Sequence, residues 1–148
     1  MTFVNAPLLA RDRGVEVTLT TSEDSPDWRN VVQVRGTMAD GSVVSVSGTL
    51  TGPKHAERII EINGYNMELV PTAHMAFLSY VDRPGIVGAV GKLLGDAEVN
   101  IAGMQVGRDA KGGKALIALT VDSGIPPQLV DAITAEVGAD MGRRVDLD

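Results

Sequence analysis

Over its first seventy residues the chain alternates between apolar and polar positions. Val15, Val17 and Leu19 fall on one side of an extended segment, Val32 and Val34 on one side of a second, and Val44 and Val46 on one side of a third. A period of two is the mark of strands with a single apolar face. Two dipeptides close such runs into hairpins. Asp40-Gly41 joins one pair, and Asn63-Gly64 joins Ile60–Ile62 to Met67–Leu69; both supply the positive φ that two-residue hairpins need. Only one short helix-like stretch, Val4 to Ala10, accompanies them. Residues 1–72 therefore read as an antiparallel β-meander with an apolar face that needs a cover. One short helix cannot supply it, so the segment is expected to be part of a domain, covered by another chain or by elements that precede it.

From about residue 74 the periodicity changes. Met75 to Val81 reads as a strand. Pro84, which lacks an N–H that the first turn of a helix leaves unpaired anyway, is placed to open a helix. In that helix Ile86, Val87, Val90, Leu93, Leu94 and Ala97 form one stripe. Asn100 to Val106 is a strand, Asp109 to Gly113 a turn, and Ala115 to Val121 another strand. Pro126-Pro127 starts a second helix, with Leu129, Val130, Ile133 and Val137 on one side, and Met141 to Leu147 closes as a strand. The order βαββαβ over 73–148 is the ferredoxin-like plan, with both helices on one face of an antiparallel sheet. The fold class is thus α+β, and Pro71, which cannot continue a central strand, marks the boundary between the two units.

Composition narrows the function. The chain has 148 residues, 17 of them Gly, with an apolar fraction of 44%, a net charge of −6 and only 3% aromatics. An acidic, aromatic-poor surface lacks the phosphate-neutralising charge and stacking platforms of nucleic-acid binders, and an anionic membrane would repel it. Without Cys there is neither a disulfide framework nor a thiolate zinc site. No basic-then-apolar leader opens the chain and no apolar run spans a bilayer, so the expected location is cytoplasmic.

Few residues carry chemistry. Gly85, Gly88 and Gly91 recur every three residues, which departs from the dinucleotide fingerprint and reads as close packing along one helical side. His55 and His74 stand alone, without the spacing of a metal site. Ser45 and Ser47 share a strand face with no base placed beside them. No catalytic constellation is found, and the chain itself is not expected to be an enzyme. Asp82 differs, because it ends a strand just before Arg83-Pro84-Gly85. It is either the cap of the following helix or the acceptor for a ligand's ammonium group, with Gly85 allowing close approach and the helix N–H groups facing a carboxylate. Asn100, before the next strand, offers both donor and acceptor.

The span Tyr80–Ile101, Tyr-Val-Asp-Arg-Pro-Gly-Ile through Val-Asn-Ile, resembles the ACT domain, a small amino-acid-sensing module. Val4 to Leu9, Arg35-Gly36-Thr37, Val46 to Leu50 and Ile62-Asn63-Gly64 extend the likeness over essentially the whole chain, to the C-terminal half of long-form D-3-phosphoglycerate dehydrogenases. That resemblance implies a partial intervening, allosteric substrate-binding domain at 1–72 and an ACT domain at 73–148. The NAD-dependent catalytic domains would lie outside the chain, which itself would hold no cofactor. It further implies that two ACT domains pair edge to edge as a homodimer or within a tetramer. L-serine would lie between them, held by Tyr80, Asp82, Arg83, Pro84, Gly85, Asn100 and Ile101, for feedback inhibition of L-serine biosynthesis. The family's phosphate pocket in the first domain is basic. Here Arg58 fits one of its positions, Tyr65 and Val70 replace others, and Lys54 and His55 are nearby candidates for anion binding. A guanidinium on phosphate has no apolar substitute, so that pocket is expected to be weakened. The alternatives are a ligand-independent oligomerisation scaffold and an amino-acid sensor from another serine-handling enzyme.

Overall fold

The computed structural model describes residues 6–23 and 27–147. Its elements run α1 (Ala6–Asp12), β1 (Val32–Thr37), β2 (Val43–Thr51), β3 (Ala56–Ile62), β4 (Tyr65–Leu69), β5 (His74–Val81), α2 (Ile86–Asp96), β6 (Ile101–Arg108), β7 (Lys114–Val121), α3 (Pro127–Val137) and β8 (Met141–Asp146). Val4 and Asn5, expected to open the first helix, lie outside the described residues.

The first four strands form an antiparallel sheet in the order β1-β2-β3-β4, the expected meander. Its tightest corner is the Asn63-Gly64 hairpin, where φ is 51° and 84° at the two residues; two successive left-handed residues give the turn whose twist matches that of the strands. The strand expected at Val15–Leu19 does not form. Residues 15–22 hold no regular structure, and Val17 and Leu19 are 71% and 89% exposed. β1 pairs only with β2 among the described residues, and alternation without a neighbouring strand leaves backbone N–H and C=O groups to water.

The second sheet has the order β6-β7-β5-β8 with every pairing antiparallel, the ferredoxin-like arrangement expected over 73–148. Both helices cover one face. Ile86, Val90 and Leu94 of α2 and Val130, Ile133 and Val137 of α3 meet Ala76, Leu78, Tyr80, Ile117 and Leu119 in one cluster. Val87 is 46% exposed and Ala97 also faces solvent, so the buried stripe of α2 is narrower than the sequence pattern.

The cover for the meander is the other face of this sheet. Ile62, Met67 and Leu69 pack with Met75, Leu116 and Ala118 in a second buried cluster, flanked by Ile59, Tyr65, Phe77, Met141 and Val145. β7 is consequently buried on both sides from Ala115 to Val121. The expectation that nothing within this chain covers the meander is therefore corrected for β3 and β4, while β1 is exposed along its length in the described residues. Along the row Val34–Val46–Ile62 the buried end is Ile62, at 6% exposure, while Val46 and Val34 are 37% and 69% exposed. At Gly107 a Cβ would stand 2.8 Å from Tyr65 Cβ and 3.4 Å from the Asn66 carbonyl oxygen, so the two sheets meet at a distance that only glycine permits there.

Candidate functional site

β5 and β6 both run antiparallel to β7 and hence parallel to each other. Their C-terminal ends come together: Val81 lies opposite Lys114 and Arg108 opposite Ala115. A cavity of about 320 Å³ opens at this end, lined by Asp82, Arg83, Pro84, Arg108, Lys111 and Gly112. The turn before β7 anchors it through the Asp82 amide, which donates to the Gly113 carbonyl at 2.8 Å.

Asp82 does not cap α2. The residue at the N-terminus of that helix is Gly85, in the left-handed region with φ 94°, and no side chain bonds to the first-turn amides. The helix starts at Ile86 and not at Pro84, because the left-handed Gly85 separates the proline from the first helical turn. The Asp82 side chain is only 13% exposed and is paired with Arg108, Nε to Oδ2 at 3.2 Å. Arg83 lines the cavity, yet its Nη2 donates to the Val137 carbonyl at 3.2 Å, at the C-terminal end of α3, where a helix favours a cation. Tyr80 is a core residue, 1% exposed. Burial, and next the Asp82 carboxylate, push its phenol above the ordinary value, with Arg108 opposing them. Ile101 is half-buried against the same core. Of the residues assigned to a ligand by resemblance, Asp82, Arg83, Pro84 and Gly85 are thus gathered at one end.

Asn100 is at the other end. It precedes Ile101, which lies opposite Val121. At ~3.3 Å per residue along β6, more than ~20 Å separates it from Asp82. Its Nδ2 donates to Asp122 Oδ2 at 2.6 Å. Within one chain the acid and the amide do not meet.

The glycines of α2 also depart from expectation. A Cβ at Gly88 or Gly91 would meet nothing within 4 Å, so these residues do not serve close packing within this chain.

The candidate anion-binding residues are less concentrated. Lys54 and His55 are exposed in the turn between β2 and β3. Arg58 lines an apolar groove with Leu50, Ile59 and Pro71, and its Nη1 donates to the Glu57 carbonyl at 2.8 Å. A cleft of about 690 Å³ over the meander includes Trp28, Arg35, Ser45, Ser47 and, facing these serines, Glu61. Its carboxylate is already satisfied by Ser45 Oγ at 2.7 Å, Ser47 Oγ at 2.5 Å, the Gly64 amide at 2.5 Å and Gln33 Nε2 at 3.4 Å. Burial alone would raise the Glu61 carboxyl, but these donors outweigh it and hold it below its ordinary value. The expectation that no base stands beside Ser45 and Ser47 is corrected: the fold sets the Glu61 carboxylate within hydrogen-bond distance of both hydroxyls, which act as its donors.

Sequence reading missed Arg108 and Lys111. The signal was present: in a βαβ unit the two strands are parallel, so the last residue of β6 sits beside the residue that follows β5.

Comparison with known families agrees with this architecture. Residues 74–138 match the ACT domain, and residues 1–63 match the D-3-phosphoglycerate dehydrogenase intervening domain. The chain thus joins a segment similar to the D-3-phosphoglycerate dehydrogenase intervening domain to one similar to the ACT domain. It is 46% identical over 147 residues to the D-3-phosphoglycerate dehydrogenase of Mycobacterium tuberculosis strain H37Rv and 44% identical to that of Mycobacterium leprae, covering 99% of this chain in both cases. The Bacillus subtilis enzyme is 38% identical over 131 residues, 88% of this chain. The chain spans about 28% of the length of the two mycobacterial relatives and 25% of the Bacillus one. No helix among the described residues is long and apolar enough to cross a membrane.

Proposed function

We propose that this chain is the regulatory part of a D-3-phosphoglycerate dehydrogenase and that its ACT domain binds L-serine between two copies, for feedback inhibition of an NAD-dependent parent enzyme. The observation that carries this reading is the separation of Asp82 and Asn100 at opposite ends of one sheet. β6 is an edge strand, a surface ready for pairing. Antiparallel pairing of two β6 edges about a two-fold axis sets the start of one strand beside the end of the other. Asn100 of one copy then faces the Asp82 end of the other, and two equivalent composite sites result. Asp82 accepts from the ligand ammonium, Asn100 completes the polar shell, and the uncapped amides of α2 face the carboxylate.

Coupling to activity requires only that the ligand bind one arrangement of subunits better than another, typically by ~1–3 kcal/mol. The test is the melting temperature of the chain against a panel of amino acids and three-carbon phosphorylated acids. At 100 times its dissociation constant, a ligand bound only by the folded state stabilises by ~2.7 kcal/mol, a visible shift. A shift with L-serine alone is expected. A shift with a different amino acid alone would overturn the assignment of ligand while keeping the module. No shift with any of them, in a folded dimer, would favour the scaffold reading, for which the exposed edge of β6 is sufficient.

A further inference from the structure

In this structure Asp82 already has a cationic partner. Arg108 Nε stands 3.2 Å from Asp82 Oδ2, and the two side chains differ sharply in exposure: 13% for the carboxylate, 58% for the guanidinium. An ammonium group that docks on Asp82 Oδ2 competes with Arg108 for that oxygen, and a displaced guanidinium remains at the rim of the same cavity. We propose that Arg108 is the specificity-determining residue of this site: it yields Asp82 to a ligand's ammonium and turns to the ligand's carboxylate, so that the cavity selects α-amino acids over simple amines. The proposal rests on reading the cavity as an amino-acid site, and deepens it.

The charge around the cavity supports the exchange. One carboxylate, Asp82, faces Arg83, Arg108 and Lys111. Arg83 is committed to the Val137 carbonyl at 3.2 Å, which leaves Arg108 and Lys111 as the cations without a fixed anion once Asp82 is taken. An amine lacking a carboxylate would bring a further positive charge beside them and release Arg108 to nothing better than water. A zwitterion brings both replacements at once, an ammonium for Asp82 and a carboxylate for the guanidinium, whose planar fork suits that anion. The exchange is also easy to start. An ion pair with a mostly solvated member is weak, and a long side chain attached at the last residue of an edge strand moves without disturbing the core.

The experiment is calorimetric titration of the chain with L-serine, L-serinamide and ethanolamine, for the wild type and for Arg108→Gln. The wild type is expected to bind L-serine at least about tenfold more tightly than either compound lacking the carboxylate. Arg108→Gln is expected to weaken L-serine by a similar factor and to bring the three ligands within a few-fold of one another. The side chain is largely exposed, so the variant is expected to fold, and an unchanged thermal midpoint without ligand verifies this. Wild-type discrimination retained in Arg108→Gln would overturn the role of Arg108 while leaving the amino-acid site standing. A wild type that does not bind L-serine would overturn the functional reading and the proposal with it.

Discussion

Replacing Asp82 by Ala is expected to weaken L-serine binding by roughly 10- to 100-fold, the loss of a hydrogen-bonded charged partner worth ~1.5–3 kcal/mol. The fold should survive the change. Asp82 caps no helix, and its ion-pair partner Arg108 is mostly exposed, so that the cation left behind remains in water. Its structural tie to the rest of the domain, the amide donated to Gly113, belongs to the backbone and is kept. Titration calorimetry reads the affinity, and urea unfolding reads the stability, which should fall by no more than ~1 kcal/mol, since the guanidinium left unpaired is mostly solvated. Normal serine binding by the Asp82→Ala chain would show that the ligand sits elsewhere.

The second large effect is in the core. Leu94 of α2 is fully buried, at 0% exposure, among Ile86, Val90, Leu78, Ile117 and Leu119. Leu94→Ala is expected to destabilise the chain by about 2–5 kcal/mol, since it removes buried methyl groups and leaves a cavity that rigid neighbours on a sheet cannot close. Against a total stability of ~5–15 kcal/mol for a domain of ordinary size, that is a large fraction. The urea midpoint should fall accordingly. The same change is expected to reach the ligand site, because α2 is the element that fixes the Asp82–Gly85 loop against the sheet. A midpoint indistinguishable from the wild type would mean that α2 does not dock as described.

The parts of the fold that sequence made legible are those whose signal is local. The hairpin at Asn63-Gly64 is written in two residues that tolerate positive φ. The stripes of α2 and α3 follow from burial of one helix side against the sheet. What escaped was non-local. Val15, Val17 and Leu19 alternate as well as any strand here, but an extended segment becomes a strand only when a neighbour takes its hydrogen bonds. The stacking of the two sheets joins Ile62, Met67 and Leu69 to Met75, Leu116 and Ala118, residues from separate segments with no shared period. One trace of it was available: Ala115 to Val121 runs apolar almost without interruption, and a strand without a polar side is covered on both faces. At the candidate site the strand-end positions of Asp82 and Asn100 singled them out and the resemblance joined them in one site, but neither showed how far apart they lie within one chain. Nor did either supply Arg108, whose position depends on β5 and β6 being parallel across an intervening strand.

The central claim is that Asp82 and Asn100 complete one ligand site only across two copies. It is tested most directly by mixing two defective chains. Asp82→Ala and Asn100→Ala homodimers are each expected to bind L-serine poorly. A heterodimer formed from the two, after mild denaturation and joint refolding, contains one site with neither residue and one site with both intact. Titration of the mixture is predicted to recover wild-type affinity at a fraction of the sites, set by the proportion of heterodimer. No recovery in a mixture verified to contain heterodimers, or full serine affinity in the Asn100→Ala homodimer, would contradict the shared site.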